Sequence, residues 1–166
     1  MKWTLFYVVV SLQALFLIGM SASYYAMDRW GETIYLETEP IDPRDPFYGD
    51  YVTLRYDIES FPAELWQGSE DPERGDMVFV TVEEGEDGKY EVVQAAPASS
   101  ATEEGQVELK AKYDWSDMSQ NNLHVNIGLD RYFIEEDTGD SFEQVESRVV
   151  EIVVAPWGQK KITSID

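Results

Sequence analysis

Few side chains in this sequence are equipped for catalysis, and their surroundings decide what each can do. His124 is the only histidine, in the alternating stretch "LHVNIGL" at 123–129. There Leu123, Val125, Ile127 and Leu129 share one strand face, so His124 falls on the other, exposed face rather than beside a nucleophile. The chain has no cysteine, which removes thiolate nucleophiles, thiolate metal sites and disulfides together. A Ser/Lys dyad is equally unsupported. Lys89, Lys110, Lys112, Lys160 and Lys161 fall in turns or on alternating surface strands, and no serine stands in a matching setting. Carboxylates are abundant, and Asp50 and Glu136 are examples of an acid and base for glycoside chemistry, which needs two carboxyls about 5–10 Å apart across a cleft. The acid-rich loops "EEGEDG" (83–88) and "EEDTGD" (135–140) offer oxygen ligands for Ca²⁺. Neither has the D-x-[DN]-x-[DN]-G spacing of an EF-hand loop, and no glycine-rich phosphate loop follows a strand and opens a helix. No catalytic residue, metal ligand set or cofactor is assigned.

The stretch "EPIDPRDPFYGDYVTLRYDI" (39–58) is the most unusual local pattern. Pro43 and Pro46 fix φ and push Asp42 and Asp45 towards extended backbone, giving a stiff, bent connector. Arg44, among Asp42, Asp45 and Asp50, has the fork that pairs with a carboxylate. Gly49 permits close backbone approach, and Asp50 accepts neighbouring N–H groups in a turn. The corner reads either as a strand entry pinned by a local ion pair or as a binding surface.

The elements that must position these residues begin with an apolar helix. No residue from 4 to 27 is charged. At roughly 1.5 Å per residue that run reaches about 36 Å, enough for a hydrocarbon core of about 30 Å. Trp3 at one end and Tyr24, Tyr25 and Trp30 at the other are placed like interfacial anchors. A cleaved signal peptide is the rival reading, with Ser21, Ala22 and Ser23 as small residues at a cut site. Against it, the apolar run is longer than the 7–15 residues usual for such a segment. Residues 1–27 are therefore expected to be a retained transmembrane signal anchor. Lys2 is the one charged side chain before Asp28, so residues 28–166 carry 11 Lys+Arg against 33 Asp+Glu. The positive-inside rule then puts the N-terminus in the cytoplasm and the acidic domain outside. That surface repels nucleic-acid backbones and anionic headgroups.

Residues 28–166 read as strands. "TIYLET" (33–38) alternates, and in 51–58 Val52, Leu54, Tyr56 and Ile58 oppose Tyr51, Thr53, Arg55 and Asp57. "FPAELWQG" (61–68) predicts a short helical turn. Residues 76–83 and 89–96 flank Asp87-Gly88 as a hairpin. Further strands are expected at 106–114, 123–129, 149–155 and 159–165, with a short helix over 140–148. The fold class is mainly β, a small antiparallel sandwich or partly open barrel with one or two short helices, preceded by one N-terminal transmembrane helix.

Here a family resemblance enters. "DPRDPFYGDYVTLRY" resembles the signature of the GDYXXLXY proteins: Gly49, Asp50, Tyr51, Leu54 and Tyr56 stand at the family spacing, behind a similar Asp42-Pro43-Arg44-Asp45 lead-in. The later "GLDRYFIEEDTGDSFE" is similar to a second family region, with Tyr132, Phe133, Glu136, Gly139 and Glu143 matching and Asp137 replacing a usual glycine. The resemblance implies a membrane-anchored bacterial protein, often encoded beside multi-pass membrane proteins, and implies no catalytic residues. The strand starts "GDYV" and "GDMV" are also superficially similar to those of signal peptidases, without the serine and lysine such an enzyme needs. The expected function is thus an accessory or interaction protein on the bacterial cytoplasmic membrane, partnering a multi-pass membrane protein and no nucleic acid. The alternatives are a cell-envelope enzyme using paired carboxylates and an exported ligand or Ca²⁺ sensor.

Overall fold

The computed structural model describes residues 2–39, 51–133 and 147–165. It is mainly β, two antiparallel sheets behind one long N-terminal helix, as the hydropathy and alternation predict. α1 spans Lys2–Trp30 and its side chains are exposed over nearly its whole length. The strands follow as β1 (Glu32–Glu39), β2 (Tyr51–Thr53), β3 (Arg55–Tyr56), β4 (Ser60–Pro62), β5 (Met77–Glu84), β6 (Tyr90–Ala96), β7 (Gln106–Asp117), β8 (Asn122–Asn126), β9 (Arg131–Phe133), β10 (Arg148–Val154) and β11 (Lys160–Ile165). One sheet has the order β11-β10-β1-β3, a second β4-β8-β7-β5-β6, and β2 pairs with β9 in a separate ribbon.

The sandwich core follows from alternation. Ile34 and Leu36 on β1 and Val150 and Ile152 on β10 are fully buried, as are Val80 and Val82 on β5. Each such side chain contributes about 1.5–3 kcal/mol by leaving water. The hairpin expected around Asp87-Gly88 joins β5 to β6, with Gly88 at φ +81° supplying the left-handed turn position. Across the sandwich, Lys89 pairs with Glu37 of β1, and this ammonium holds the Glu37 carboxyl below the usual carboxylate range.

Three expectations need correction. The predicted single strand over 51–58 is broken into β2, β3 and a 3-10 turn at Asp57–Glu59. Its alternation nevertheless survives, with Leu54, Tyr56 and Ile58 buried. The break lets one segment serve two partners: β2 pairs with β9, and β3 with the end of β1. The helical turn in 61–68 is shorter than expected, a 3-10 turn over Ala63–Leu65 after β4. Finally, Lys160 is half-buried rather than a freely exposed surface lysine. It lies on the inner side of edge strand β11, where its Nζ donates to the Lys110 carbonyl of the opposite sheet at 2.5 Å. β8 pairs with β7 only from Lys112 onward, so that carbonyl lies beyond the end of β8. Burial, helped by the nearby Lys110 charge, lowers the Lys160 pKa to about 8. An inward charge on an edge strand also discourages sheet-to-sheet association. The helix expected over 140–148 lies outside the described residues, apart from Ser147, which is irregular, and Arg148, which opens β10.

α1 is docked to the sandwich at its C-terminal end. Met27 is fully buried against Val153 and Ala155 of the β10 region. Gly31 donates its N–H to the Met27 carbonyl at 2.8 Å. A Cβ at Gly31 would come within 2.4 Å of Val153 Cγ1 and 2.5 Å of the Met27 oxygen, so this close approach requires glycine. Lys161, on the outer side of β11, reaches Asp28 Oδ1 at 2.5 Å and sits 4.4 Å from the Tyr24 ring centroid.

Candidate functional site

Residues 53–57, at the C-terminal end of the first sequence motif, form one wall of a cleft at the far end of β1. Eight residues of strand, at roughly 3.3 Å each, put that end about 26 Å from the start of β1. Leu54 and Tyr56 turn inward, at 5% and 1% exposure. The Leu54 N–H donates to the Asp130 carbonyl at 2.9 Å, and the Tyr56 hydroxyl to the Leu129 carbonyl at 3.1 Å. The backbone of Tyr51 and Val52 pairs with Phe133 and Tyr132, so the two motif regions are brought side by side. Tyr132 packs at the edge of the core. Asp42, Pro43, Arg44, Asp45, Gly49, Asp50, Glu136 and Glu143 lie outside the described residues.

Glu59 fastens this region from within. Its two carboxylate oxygens accept separate backbone N–H groups, Oε2 from Tyr56 at 3.2 Å and Oε1 from Ile127 at 2.9 Å. Burial raises its pKa above the ordinary carboxyl value, against the pull of those two donors, and also pushes the Tyr56 phenol upward. Buried carboxylates are costly unless satisfied in this way. Glu59 therefore ties the 3-10 turn to the end of β8.

The cleft encloses about 390 Å³ between Thr53, Arg55 and Asp57 on one side and Trp115, His124 and Asn126 on the other. Its second wall rests on a β-bulge. Tyr113 pairs with Val125 and Trp115 with His124, leaving Asp114 as the extra residue. The Trp115 indole stacks on the His124 ring at 3.9 Å between centroids and 7° between planes. His124 is thus half-buried beneath an indole, not a fully exposed strand residue as its alternation predicts. Trp115 itself remains 49% exposed at the cleft. Asp114 accepts from Arg74, with Nη2 at 2.8 Å and Nε at 2.9 Å from Oδ1. Asp130 also lines the cleft. An aromatic face with carboxylates around it suits a flat or cationic group. Among the described residues no group of three or more His, Asp or Glu side chains converges to hold a metal ion.

Sequence reasoning overlooked Trp115, Asp114 and Glu59. The bulge moves Trp115 off the core face that strict alternation from Tyr113 would give it. Glu59 carries no signal beyond one acidic residue among many. A model of the GDYXXLXY proteins matches residues 13–165. The chain belongs to the GDYXXLXY family. No curated protein and no solved structure matches it. In this GDYXXLXY protein the leucine and last tyrosine of the motif are core residues. Both residues line the cleft while staying almost fully buried.

Proposed function

We propose that this GDYXXLXY protein is a membrane-anchored, extracytoplasmic accessory protein that partners a multi-pass membrane protein. The observation behind this reading is the uncovered apolar surface of α1. Leu5, Phe6, Leu12, Leu15, Phe16 and Leu17 are all more than half exposed, and among the described residues the sandwich touches the helix near its C-terminal end. Such a surface is covered by lipid or by other membrane helices. Gln13, Gly19, Ser21, Ala22 and Ser23 are small or polar side chains suited to close helix–helix contact. Lys2 and the N-terminus on one side, and the acidic domain on the other, favour an N-in orientation in a bacterial cytoplasmic membrane. The cleft at Trp115 and the motif segment then faces outward, far from the helix end, as a recognition surface for the partner's exposed parts.

A carboxylate enzyme is the weaker reading. Both Glu59 oxygens are held by backbone amides and Asp114 is held by Arg74, arrangements suited to architecture more than to proton transfer.

The test is a mild-detergent pull-down of tagged full-length protein from its native membranes, with co-purifying proteins identified by mass spectrometry. A stoichiometric multi-pass partner is expected, and it should be lost when residues 1–27 are exchanged for an unrelated anchor. Absence of any such partner overturns the accessory role.

A further inference from the structure

A second part of the chain is carried to the end of α1 by topology. β1 leaves the helix, and β10 returns antiparallel to it with Glu32 opposite Val154. The turn that follows β10, residues 155–159, must therefore project past the start of β1, alongside the last turn of the helix. Met27 against Ala155, the Gly31 approach and the Lys161–Asp28 pair fix that placement. Trp157 stands at the tip, 44% exposed, and Gly158 packs onto the Lys110 side chain.

Trp157 and Trp30 line the same cleft of about 570 Å³. Trp30, 66% exposed, closes α1, and Trp3, 74% exposed, opens it. At roughly 1.5 Å per residue these two tryptophans are about 40 Å apart, which matches the bilayer with its interfacial regions. Tryptophan prefers that interface because it joins an apolar ring to a polar N–H. The Trp157 indole keeps its N–H on Gln159 Oε1 at 3.1 Å. Local charge permits approach to a headgroup surface. Lys110 lines the cleft with Glu32 and Glu108, and Lys161 pairs with Asp28, so cations stand among the acids here although the chain carries a net charge of −21.

We infer that the β10–β11 turn is a membrane seat: Trp157 and the cleft it shares with Trp30 rest on the lipid headgroups and hold the domain at a fixed orientation on the bilayer. This rests on the anchor reading above, and its test separates the two. The chain is free of cysteine, so single labelling sites are available. Pro156→Cys, Leu15→Cys and Met118→Cys would each be nitroxide-labelled in full-length protein, reconstituted into phosphatidylcholine vesicles with no other protein. Accessibility to oxygen and to a water-soluble nickel chelate would then be measured. Met118, 93% exposed at the far end of β7, is the solvent reference.

The expected result is a lipid-immersed label at 15, and a label at 156 several-fold less accessible to nickel than the label at 118. Adding Trp157→Ser should restore nickel access at 156. Equal access at 156 and 118, with the label at 15 in lipid, overturns the seat and leaves the anchor intact. Nickel access at 15 overturns the anchor, and the seat with it. Shielding at 156 that appears only in native membranes identifies a protein contact there and overturns the lipid assignment.

Discussion

At the far end of β1, the Tyr56 hydroxyl and the Glu59 carboxylate join the 3-10 turn to the segment after β8 through two hydrogen bonds, to Leu129 and Ile127, while a third, from the Tyr56 N–H to Glu59, closes the turn itself. At the helix end, Met27 forms a small buried cluster with Val153 and Ala155 among the described residues, with Lys161 on Asp28 beside them. Both ends are tightly packed, yet they differ in what failure would cost. The first is continuous with the main core, so its loss opens the sandwich. The second is a separate three-residue cluster, so its loss frees the helix from a domain that stays folded. A motif shared by a family is expected where geometry must be exact for folding, and a small apolar plug suffices where one body is fastened to another.

The largest effect that sharpens this contrast is Tyr56→Ala. Removing a fully buried ring should cost about 3–5 kcal/mol in chemical denaturation. Tyr56→Phe, which keeps the ring and loses only the bond to Leu129, should cost about 1 kcal/mol. Equal losses in the two variants would assign the role to the hydroxyl rather than to packing.

Glu59→Gln comes next, at about 1–3 kcal/mol, because an amide can accept from one backbone N–H but turns a donor towards the other. The pH dependence has a definite sign. The folded carboxyl titrates above its unfolded value, so the folded state holds the extra proton in that window. Stability relative to the Gln variant should therefore fall as pH rises through it. A flat difference from pH 4 to 7 would contradict the burial argument.

For Lys160→Met the sign is opposite. The folded ammonium releases its proton near pH 8, against a usual value of 10.5, so the unfolded state binds more protons between the two. Wild type should gain stability relative to the Met variant as pH rises across that interval, read from paired melting curves. At pH 7 the variant should be as stable as wild type or slightly more so.

The smallest global effect is expected at the helix end. Met27→Ala should leave the sandwich's denaturation midpoint within about 0.5 kcal/mol of wild type. Hydrogen exchange of the Gly31 amide should meanwhile accelerate, because its bond to the Met27 carbonyl depends on the docked helix end. A large global loss would show that the two ends form one cooperative unit and would break the comparison.

Taken alone, the sequence determined the apolar helix, the mainly β class and most strand positions, because each is written in local periodicity. An uncharged run long enough to span a bilayer reads as a helix, and alternation assigns Leu54, Tyr56, Val125 and Ile127 to one face without knowledge of their partners. The hairpin at Asp87-Gly88 was legible for the same reason, since its turn chemistry is local. Tertiary structure alone decided which segments meet. The bulge at Asp114 carries Trp115 onto His124, Glu59 finds its second donor 68 residues away in Ile127, and Lys160 turns inward to a carbonyl of the opposite sheet. These contacts depend on register and on where a neighbouring strand ends, and neither leaves a mark in local sequence.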